Sequence, residues 1–342
     1  MVEIRKEVTK NEWSIIAPTR SDRPFDFGEE PGQKEKENVS DCPFCPGNES
    51  DTPSETYAIR EDEKSGVSDW QVRVFPNKFP ALDRDGTDTA IEGDIFESMG
   101  GFGYHEVVAE TPKHNQSLDD LEVGEIALVL QTYAKRAMTF IKDPKVEYVS
   151  MFRNQGKKAG ASLSHPHSQI MATTFVPNLL KREYAEASSF FNQKGECLHC
   201  RIMEEEKREG QRIILENDGF LVFSPFGSRF PYETHLYPKR HRHSFAQIDE
   251  DEITLMAGAL KRTLRSMSAN FGHLFPYNYS IHTGYSREFS NIDGFEESYH
   301  WHLEIIPRLT TPAGFEWGSG NYINIINPED AAGKLRNKIS QP

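Results

Sequence analysis

The sequence predicts an α+β protein of two tandem halves, residues 1–178 and 179–342, each with an antiparallel sheet, one main helix and a zinc site. Three observations predict this fold class. The same order of predicted elements occurs twice along the chain. The four cysteines form two Cys-x-x-Cys pairs, and a His-x-His segment closes each half. A chain of 342 residues is long enough for two such units.

The composition excludes several classes of partner. The chain has 39 basic and 53 acidic residues and a net charge of −14, whereas nucleic acids and anionic membranes attract basic proteins. No apolar stretch approaches the length that crosses a bilayer, and the N-terminal residues lack the apolar run of a signal peptide. We therefore predict a soluble, cytoplasmic protein that binds neither nucleic acid nor membrane.

The cysteine pairs indicate metal binding. Cys42 and Cys45 form one pair, and Cys197 and Cys200 form the other. In a cytosolic chain this spacing favours zinc over disulfides, although each closed site needs two further ligands. A thioredoxin-like redox use is the alternative, and it is disfavoured because neither pair opens an evident βαβ unit.

The first half contains four predicted strands and one helix. Apolar and β-branched runs predict strands over 70–75, 104–109, 146–152 and 168–174. The prolines that follow the first of these strands should end it and place Asn77 on a turn. Apolar residues at helical spacing predict an amphipathic helix that begins near Asp119.

The second half repeats this order. A strand over 220–223 leads to a Pro-Lys-Arg-His segment that ends at His241. A second amphipathic helix begins near Asp249, and the half closes with the segment Tyr299–Glu304. Both halves therefore contain a cysteine pair, a strand, a basic segment that ends in histidine, a helix with an acidic start and a His-x-His strand.

The histidine spacing pairs the two halves. His114 lies 12 residues before Ile126, as His241 lies 12 before Ile253, and the steps to the His-x-His segments are 51 and 59 residues. The steps from the cysteine pairs are less similar, 69 and 41, which loop insertions could account for. We predict two Cys2His2 sites. Their ligands are Cys42, Cys45, His114 and His165, and Cys197, Cys200, His241 and His300.

The segment around His165-Pro166-His167 is the candidate catalytic element. In a strand, residues i and i+2 point to the same face, so both imidazoles and the amide of Gln169 project together. If His165 binds metal, His167 remains available as a nucleophile or general base. A pair of structural or surface histidines is the alternative interpretation.

Different residues follow the two His-x-His segments. Ser168 and Gln169 come directly after His167, whereas Leu303 and Glu304 come after His302. A carboxylate would repel an incoming phosphate and an amide would not. We therefore assign the catalytic role to His167 and a binding, supporting or metal-associated role to His302.

These motifs give the chain a resemblance to the galactose-1-phosphate uridylyltransferase family of the histidine-triad superfamily. The similar segments span nearly the whole length: Trp13–Pro24, Val74–Leu82, Asn154–Gln169, Ala313–Glu316 and Pro328–Ala332. The resemblance implies two tandem histidine-triad-like halves and a homodimer with sites near the subunit interface. The Gly-x-Ser, His-Pro-His-x-Gln signature over 160–169 is the most specific of these motifs.

The resemblance also implies a reaction. His167 would attack the α-phosphorus of UDP-glucose and release glucose 1-phosphate, and galactose 1-phosphate would then accept the uridylyl group from the histidine. Gln169 and Ser162 would hold the phosphoryl oxygens. The positions similar to nucleotide contacts are Arg20, Arg23, Asn77 and Asn154. Phe315 and Glu316 resemble the segment that meets the hexose phosphate.

The second metal site has an alternative ligand set. Some members of the family lack the second cysteine pair and use one glutamate and three histidines, for which Glu183, His282, His300 and His302 match here. Because Cys197 and Cys200 are present, the cysteine-containing set is preferred. Zinc is expected at both sites, with iron as the alternative metal at the second.

The sequence leaves three other functions open. Relatives with very similar motifs are adenylyltransferases such as ADP-glucose phosphorylase, and the base pocket cannot be read from one sequence. A catalytically idle, zinc-binding nucleotide-binding protein is a second alternative, which the combination of His167 and Gln169 disfavours. A redox protein that uses the cysteine pairs is the third.

Overall fold

The computed structural model describes residues 2–18, 41–62, 66–91, 93–284, 289 and 293–339. Its strands, β1 to β15, are Glu3–Glu7, Glu12–Ile16, Tyr57–Arg60, Trp70–Pro76, Ala90–Ile91, Ser98–Met99, Gly103–Ala109, Tyr148–Gln155, His167–Thr173, Ile213–Glu216, Phe220–Phe223, Thr234–Pro238, Tyr277–His282, His302–Pro307 and Tyr322–Asn324. Its helices, α1 to α7, are Val123–Phe140, Asn178–Lys194, Leu198–Glu209, Glu250–Phe271, Phe295–Ser298, Gly314–Ser319 and Pro328–Ile339.

Ten strands form one continuous sheet, in the order β10-β11-β12-β14-β13-β8-β9-β7-β4-β3. All pairs within it are antiparallel, which confirms the predicted α+β class. The two halves meet where β8 pairs with β13, with Met151 opposite Ile281. The predicted boundary between 178 and 179 falls at the start of α2 and stays a prediction, because the sheet runs through both halves without a break.

The two long helices pack on one face of this sheet. Alternate residues of the central strands, such as Met151, Ile170 and Ile281, are fully buried there. The inner faces of α1 and α4 meet them and also contact each other, so one hydrophobic core serves both halves. This follows from the period of two in strands and the apolar stripe of each helix.

The helix starts follow the acidic capping signals, with one correction. Asp249 accepts a hydrogen bond from the Glu252 amide and caps α4 as predicted. The first helix begins at Val123 rather than near Asp119. Asp120 accepts a hydrogen bond from the Ser117 amide in the preceding turn, and Asp119 accepts one from the Ser268 hydroxyl of α4. These two carboxylates therefore fix a turn and a contact between helices.

The opposite face of the sheet is covered differently in the two halves. In the second half, α2 and the turn between β1 and β2 lie over it, because Lys10 in that turn reaches Glu183 of α2 and Glu304 of β14. In the first half, Phe44 of the first Cys-x-x-Cys segment contacts Phe75 of β4. No helix among the described residues is long and apolar enough to span a membrane.

A buried ion pair of the first half also contacts the second half. Nε of Arg153 lies 2.9 Å from a carboxylate oxygen of Glu110, and both residues are almost fully buried. Nη1 of the same arginine donates to the hydroxyl of Tyr277 at 3.0 Å, across the β8–β13 boundary. Burial disfavours the charged guanidinium, but the Glu110 carboxylate outweighs it and raises the pKa of Arg153.

Removal of one partner from this pair should destabilise the protein strongly. We expect Glu110→Ala to lower the free energy of unfolding by about 3–5 kcal/mol, since it leaves Arg153 as an uncompensated buried charge. Urea denaturation followed by circular dichroism measures this. The control is Glu205→Ala, which removes the exposed carboxylate that pairs with Arg201 on α3 and should leave the transition nearly unchanged. Equal effects of the two substitutions would contradict the role given to Glu110.

Candidate active site and metal clusters

The β9 strand places His167 and Gln169 on the face of the sheet opposite α1 and α4. Ile170 on the alternate side belongs to the core, so the period of two fixes the direction of both polar side chains. His167 is 8 % exposed and Gln169 is half-buried, which leaves both within reach of a ligand at this face. The structure thus brings the predicted nucleophile and the predicted amide donor together.

The tautomer of His167 is fixed by the backbone of His165. Nδ1 of His167 lies 2.7 Å from the carbonyl oxygen of His165. A carbonyl oxygen only accepts hydrogen bonds, so Nδ1 carries the hydrogen and Nε2 of the neutral ring holds the lone pair. The ring edge of Phe44 packs against this imidazole with 5.4 Å between ring centroids. The neutral His167 can therefore act as a nucleophile through Nε2.

The first predicted ligand set forms one cluster. Nδ1 of His165 lies 3.8 Å from Sγ of Cys42, 3.5 Å from Sγ of Cys45 and 3.3 Å from Nδ1 of His114. A tetrahedral zinc ion with ordinary bond lengths places nitrogen ligands about 3.4 Å apart and nitrogen and sulfur ligands about 3.6 Å apart. The donor set and these distances fit a tetrahedral metal ion.

Outer hydrogen bonds orient both imidazoles of this cluster. Nε2 of His165 donates to the carbonyl oxygen of Thr111 at 2.8 Å, and Nε2 of His114 lies 3.1 Å from the hydroxyl of Ser164. Each bond leaves Nδ1 as the nitrogen that faces the cysteines. The ring of His165 therefore belongs to the Cys2His2 cluster, and the carbonyl group of the same residue contacts His167.

The second cysteine pair gathers its predicted histidines in the same way. Sγ of Cys200 lies 3.4 Å from Nδ1 of His241 and 3.5 Å from Nδ1 of His300, and the donor atoms of all four predicted ligands lie within 4.8 Å of one another. Nε2 of His241 donates to the carbonyl oxygen of Glu296. His300, which both predicted ligand sets contain, thus lies with Cys197 and Cys200. This arrangement disfavours a simple dithiol redox pair at either site.

Three of the four residues of the alternative ligand set, all except His300, belong to a separate buried cluster. Glu183 and His282 lie together with His302 and Glu304, and Nδ1 of His282 is 3.0 Å from a Glu183 carboxylate oxygen. This donor set is typical of a metal site. However, the ammonium group of Lys10 lies 3.4 Å from Glu183 and bonds directly to Glu304.

Two cations offset most of the carboxylate charge of this cluster. Arg229 pairs with both Glu233 and Glu304, and Lys10 pairs with Glu304 and Glu183. Burial alone would neutralise Lys10, but the adjacent carboxylates outweigh it and raise the pKa of the ammonium group. Burial raises and the Arg229 guanidinium lowers the pKa of Glu233, which falls to about 2. Lys10 therefore supplies a cation directly beside Glu183 and Glu304 in this cluster.

Burial and the neighbouring carboxylates act on the histidines of this cluster in opposite directions. Burial lowers the pKa of His302 to about 4, so this ring is neutral near pH 7. For His282, Glu183 and Glu304 outweigh the burial cost and raise the pKa. His302, the counterpart of His167, is thus an interior residue of an ion cluster.

Lys10 should therefore be essential to the stability of the second half. We expect Lys10→Met to lower the free energy of unfolding by about 3–5 kcal/mol, because Glu183 and Glu304 then share the interior without their common cation. Thermal and urea denaturation measure the loss. Lys145→Met is the matched control, since it removes a half-exposed lysine that pairs with Asp88 at 3.3 Å. A variant as stable as the wild type would contradict the proposed role of Lys10.

The structure distributes the other predicted residues around the His167 face. Asn77 follows β4, as predicted, and its Oδ1 accepts a hydrogen bond from the Phe79 amide at 2.9 Å. Asn154 lies on β8 and accepts a hydrogen bond from Asn278 at 2.8 Å. Ser162 is exposed in the loop that precedes His165. Arg20 and Arg23 lie outside the described residues.

The predicted hexose-phosphate residues lie on a different element. Phe315 and Glu316 belong to the short helix α6, which packs beside β15 of the three-stranded sheet β1-β2-β15. Glu316 accepts a hydrogen bond from the Ala313 amide at 2.8 Å and so caps its own helix. Phe315 is 47 % exposed and Trp317 is 77 % exposed, so this helix presents an apolar surface.

Sequence reasoning missed two residues of these sites. His105 on β7 hydrogen-bonds to Gln169, and the hydrophobic alternation of its strand could have placed it on the same face. Lys10 lies in a turn whose sequence is otherwise ordinary, and nothing in the local pattern signals that its ammonium group is buried 294 residues from its partner Glu304.

The paired halves, each with a His-x-His strand tied to a Cys2His2 cluster, define a protein of the histidine-triad class. The family model described as galactose-1-phosphate uridyl transferase, N-terminal domain, matches residues 2–177, and a domain of unknown function matches residues 108–341. The chain belongs to the galactose-1-phosphate uridylyltransferase family, a family of nucleotidyltransferases.

Relatives of two activities are similar over the whole length. ADP-glucose phosphorylase of Arabidopsis thaliana is 34 % identical over 98 % of this chain and 92 % of its own. The crystal structure of an ADP-glucose phosphorylase from the same plant, with bound ADP-glucose, has a TM-score of 0.84 at 32 % identity and covers 98 % and 99 % of the two chains. Galactose-1-phosphate uridylyltransferase of Thermotoga maritima is 29 % identical over 98 % of both chains. A uridylyltransferase structure has a TM-score of 0.74 at 29 % identity, with 99 % and 98 % covered.

Proposed function

We propose that this protein transfers a nucleoside monophosphate from a nucleoside-diphosphate hexose to a phosphate acceptor, with His167 as the covalent carrier. One observation carries the proposal. The Nδ1 hydrogen of His167 is held by the carbonyl oxygen of His165, so Nε2 presents its lone pair on the face that also bears Gln169. Family membership supports the same class of reaction.

The reaction consists of two displacements at the α-phosphorus. Nε2 of His167 forms a bond to phosphorus while the bond to the bridging oxygen breaks, and the hexose 1-phosphate leaves with that oxygen. A phosphate oxygen of the acceptor then attacks, and the phosphorus–nitrogen bond breaks to return the neutral imidazole. Gln169 and Ser162 donate hydrogen bonds to the phosphoryl oxygens, where negative charge develops.

The remaining contacts follow the family resemblance. Asn77 and Asn154 flank the His167 face and bind the nucleotide, together with Arg20 and Arg23. Phe315 and Glu316 bind the hexose phosphate. The exposed Phe315 and Trp317 on α6 are consistent with the homodimer that the resemblance implies, with sites near the subunit interface.

UDP-glucose and ADP-glucose are the two candidate donors of the nucleoside monophosphate. The motifs alone favoured UDP-glucose, with galactose 1-phosphate as the acceptor, and the Thermotoga relative supports that reaction. The Arabidopsis phosphorylase has the higher identity and the higher TM-score, which favours ADP-glucose, with inorganic phosphate as the acceptor that a phosphorylase uses. We therefore rank the adenylyl reaction first and the uridylyl reaction second.

We also propose zinc as the metal of both Cys2His2 clusters. Thiolate and imidazole ligands in tetrahedral sets are typical of structural zinc sites. At the first cluster the ion would hold Cys42, Cys45 and His114 against His165, and so fix the carbonyl group that orients His167. The second ion would hold α3 against the segment before β14.

Two matched variants test how much metal each cluster binds and whether that metal is needed for activity. We expect two zinc ions per chain, one in each Cys2His2 cluster, by elemental mass spectrometry. Cys45→Ser and Cys200→Ser should each lower the content by one ion. Only Cys45→Ser should also abolish nucleotidyl transfer, because only the first cluster contains the residue whose carbonyl orients His167. Equal losses of activity would contradict this division.

The covalent step is tested by intact-protein mass spectrometry after brief incubation with ADP-glucose or UDP-glucose. We expect a mass gain of one AMP from the first donor, and a slower or absent gain of one UMP from the second. Inorganic phosphate should then discharge the AMP adduct, whereas galactose 1-phosphate should discharge a UMP adduct.

Two substitutions control this experiment. His167→Ala should form no adduct, and His273→Ala, which replaces an exposed histidine bonded to Asp120, should behave as the wild type. A faster gain of UMP would reverse the order of the two donors. No adduct from either donor would overturn the proposed mechanism and favour an idle nucleotide-binding protein.

A further inference from the structure

A histidine on the neighbouring strand contacts the predicted amide donor. His105 lies on β7, which pairs with β9, and Nε2 of its ring is 2.7 Å from Oε1 of Gln169. On the other side of the ring, the backbone amide of Ala81 donates to Nδ1 at 3.1 Å. The third contact is with Asn77, whose Nδ2 lies 3.3 Å from Nε2 of His105.

These contacts are compatible with only one protonation state of His105. The Ala81 amide can only donate, so Nδ1 of His105 must be the acceptor nitrogen. A neutral imidazole then carries its hydrogen on Nε2, and the partner at 2.7 Å must be an acceptor, which is the amide oxygen of Gln169. The longer contact with the Asn77 amide nitrogen joins two donors and is therefore not the hydrogen bond of this ring.

The hydrogen bond fixes which end of the Gln169 amide is available. With its oxygen held by His105, Gln169 turns its nitrogen away from β7, and that nitrogen has no hydrogen-bond partner among the described residues. An amide rotated by half a turn would present its oxygen to a phosphoryl oxygen, and two acceptors would repel each other. A donor held in advance costs no reorganisation during the reaction.

We propose that His105 is a positioning residue for nucleotidyl transfer, which locks the Gln169 amide with its nitrogen toward the phosphoryl group. The inference rests on the proposed function, because it assigns Gln169 to the transferred phosphate. It adds a link between the reaction centre and the loop after β4. Ala81 and Asn77 lie in that loop, so a change in the loop on nucleotide binding alters the ring that holds Gln169.

Three substitutions at position 105 separate this role from a packing role. The amide nitrogen of a glutamine reaches the place of histidine Nε2, whereas the amide oxygen of an asparagine takes the place of Nδ1. His105→Gln keeps the donor to Gln169 and loses the acceptor for Ala81. His105→Asn keeps the acceptor and loses the donor, and His105→Phe loses both.

The rate of adduct formation at His167 with saturating ADP-glucose and UDP-glucose is the first readout. We expect His105→Asn and His105→Phe to be slower than the wild type by about 10- to 100-fold, with donor affinity changed by less than about 3-fold. His105→Gln should recover to within about 5-fold of the wild type. In a Gln169→Ala background, the three substitutions should have little further effect, since the group that they orient is absent.

Nitrogen NMR of histidine-labelled protein is the second readout, and it needs no turnover. The resonances lost in His105→Phe identify the ring, and we expect its hydrogen on Nε2. A hydrogen on Nδ1 would overturn the proposal, as would equal rates for the glutamine and asparagine variants. If the wild type forms an adduct and the variants do not differ, only the positioning role fails. If the wild type forms no adduct from either donor, the proposed function fails and the positioning role fails with it.

Discussion

The arrangement of the candidate site depends on one residue, His165, which takes part in two interactions at once. Its ring joins Cys42, Cys45 and His114, and its carbonyl oxygen accepts the Nδ1 hydrogen of His167. Two rigid constraints therefore meet on a single backbone unit. The Cys2His2 cluster sets where the carbonyl group lies, and the carbonyl group sets which nitrogen of His167 carries the hydrogen. In the proposed function, a metal ion at this cluster would therefore matter to the reaction by fixing His165, without taking part in the chemistry.

The two halves show how a repeated framework becomes one open and one closed site. Gln169 and Glu304 hold equivalent places after their His-x-His segments, and the strand registers connect them in one row through Phe152 and Ser280. An amide can face a phosphate, whereas a buried carboxylate requires a cation. Lys10 supplies it, and the turn that carries Lys10 also covers that face. The turn that carries Lys10 therefore both neutralises the carboxylate of Glu304 and covers the face on which it lies.

Much of the site could be predicted because its signals are local or periodic. The cysteine spacing, the i and i+2 histidines and the matched distances to His114 and His241 led to ligand sets that the structure gathers into two clusters. The start of the first helix was misplaced, because Asp119 and Asp120 are used by a turn and by Ser268 rather than by the helix end. The role of Lys10 depends on a contact across nearly the whole chain, which no local pattern encodes. The roles of Phe315 and Glu316 stay predictions, because their helix lies beside the small sheet.

The choice between adenine and uracil shows why substrate identity is harder to predict than mechanism. In the proposed reaction, His167 and Gln169 act on the α-phosphorus, and so contact atoms that every nucleoside-diphosphate hexose shares. Their motif is therefore the same whichever base is bound. The base is distinguished by shape and a few polar contacts, and such contacts come from loops that the motif does not specify. The loop after β4 contacts His105 through the Ala81 amide, and His105 contacts Gln169, so a hydrogen-bonded path runs from this loop to the amide. If the proposed function holds, this path connects a loop beside the nucleotide with the amide assigned to the transferred phosphate.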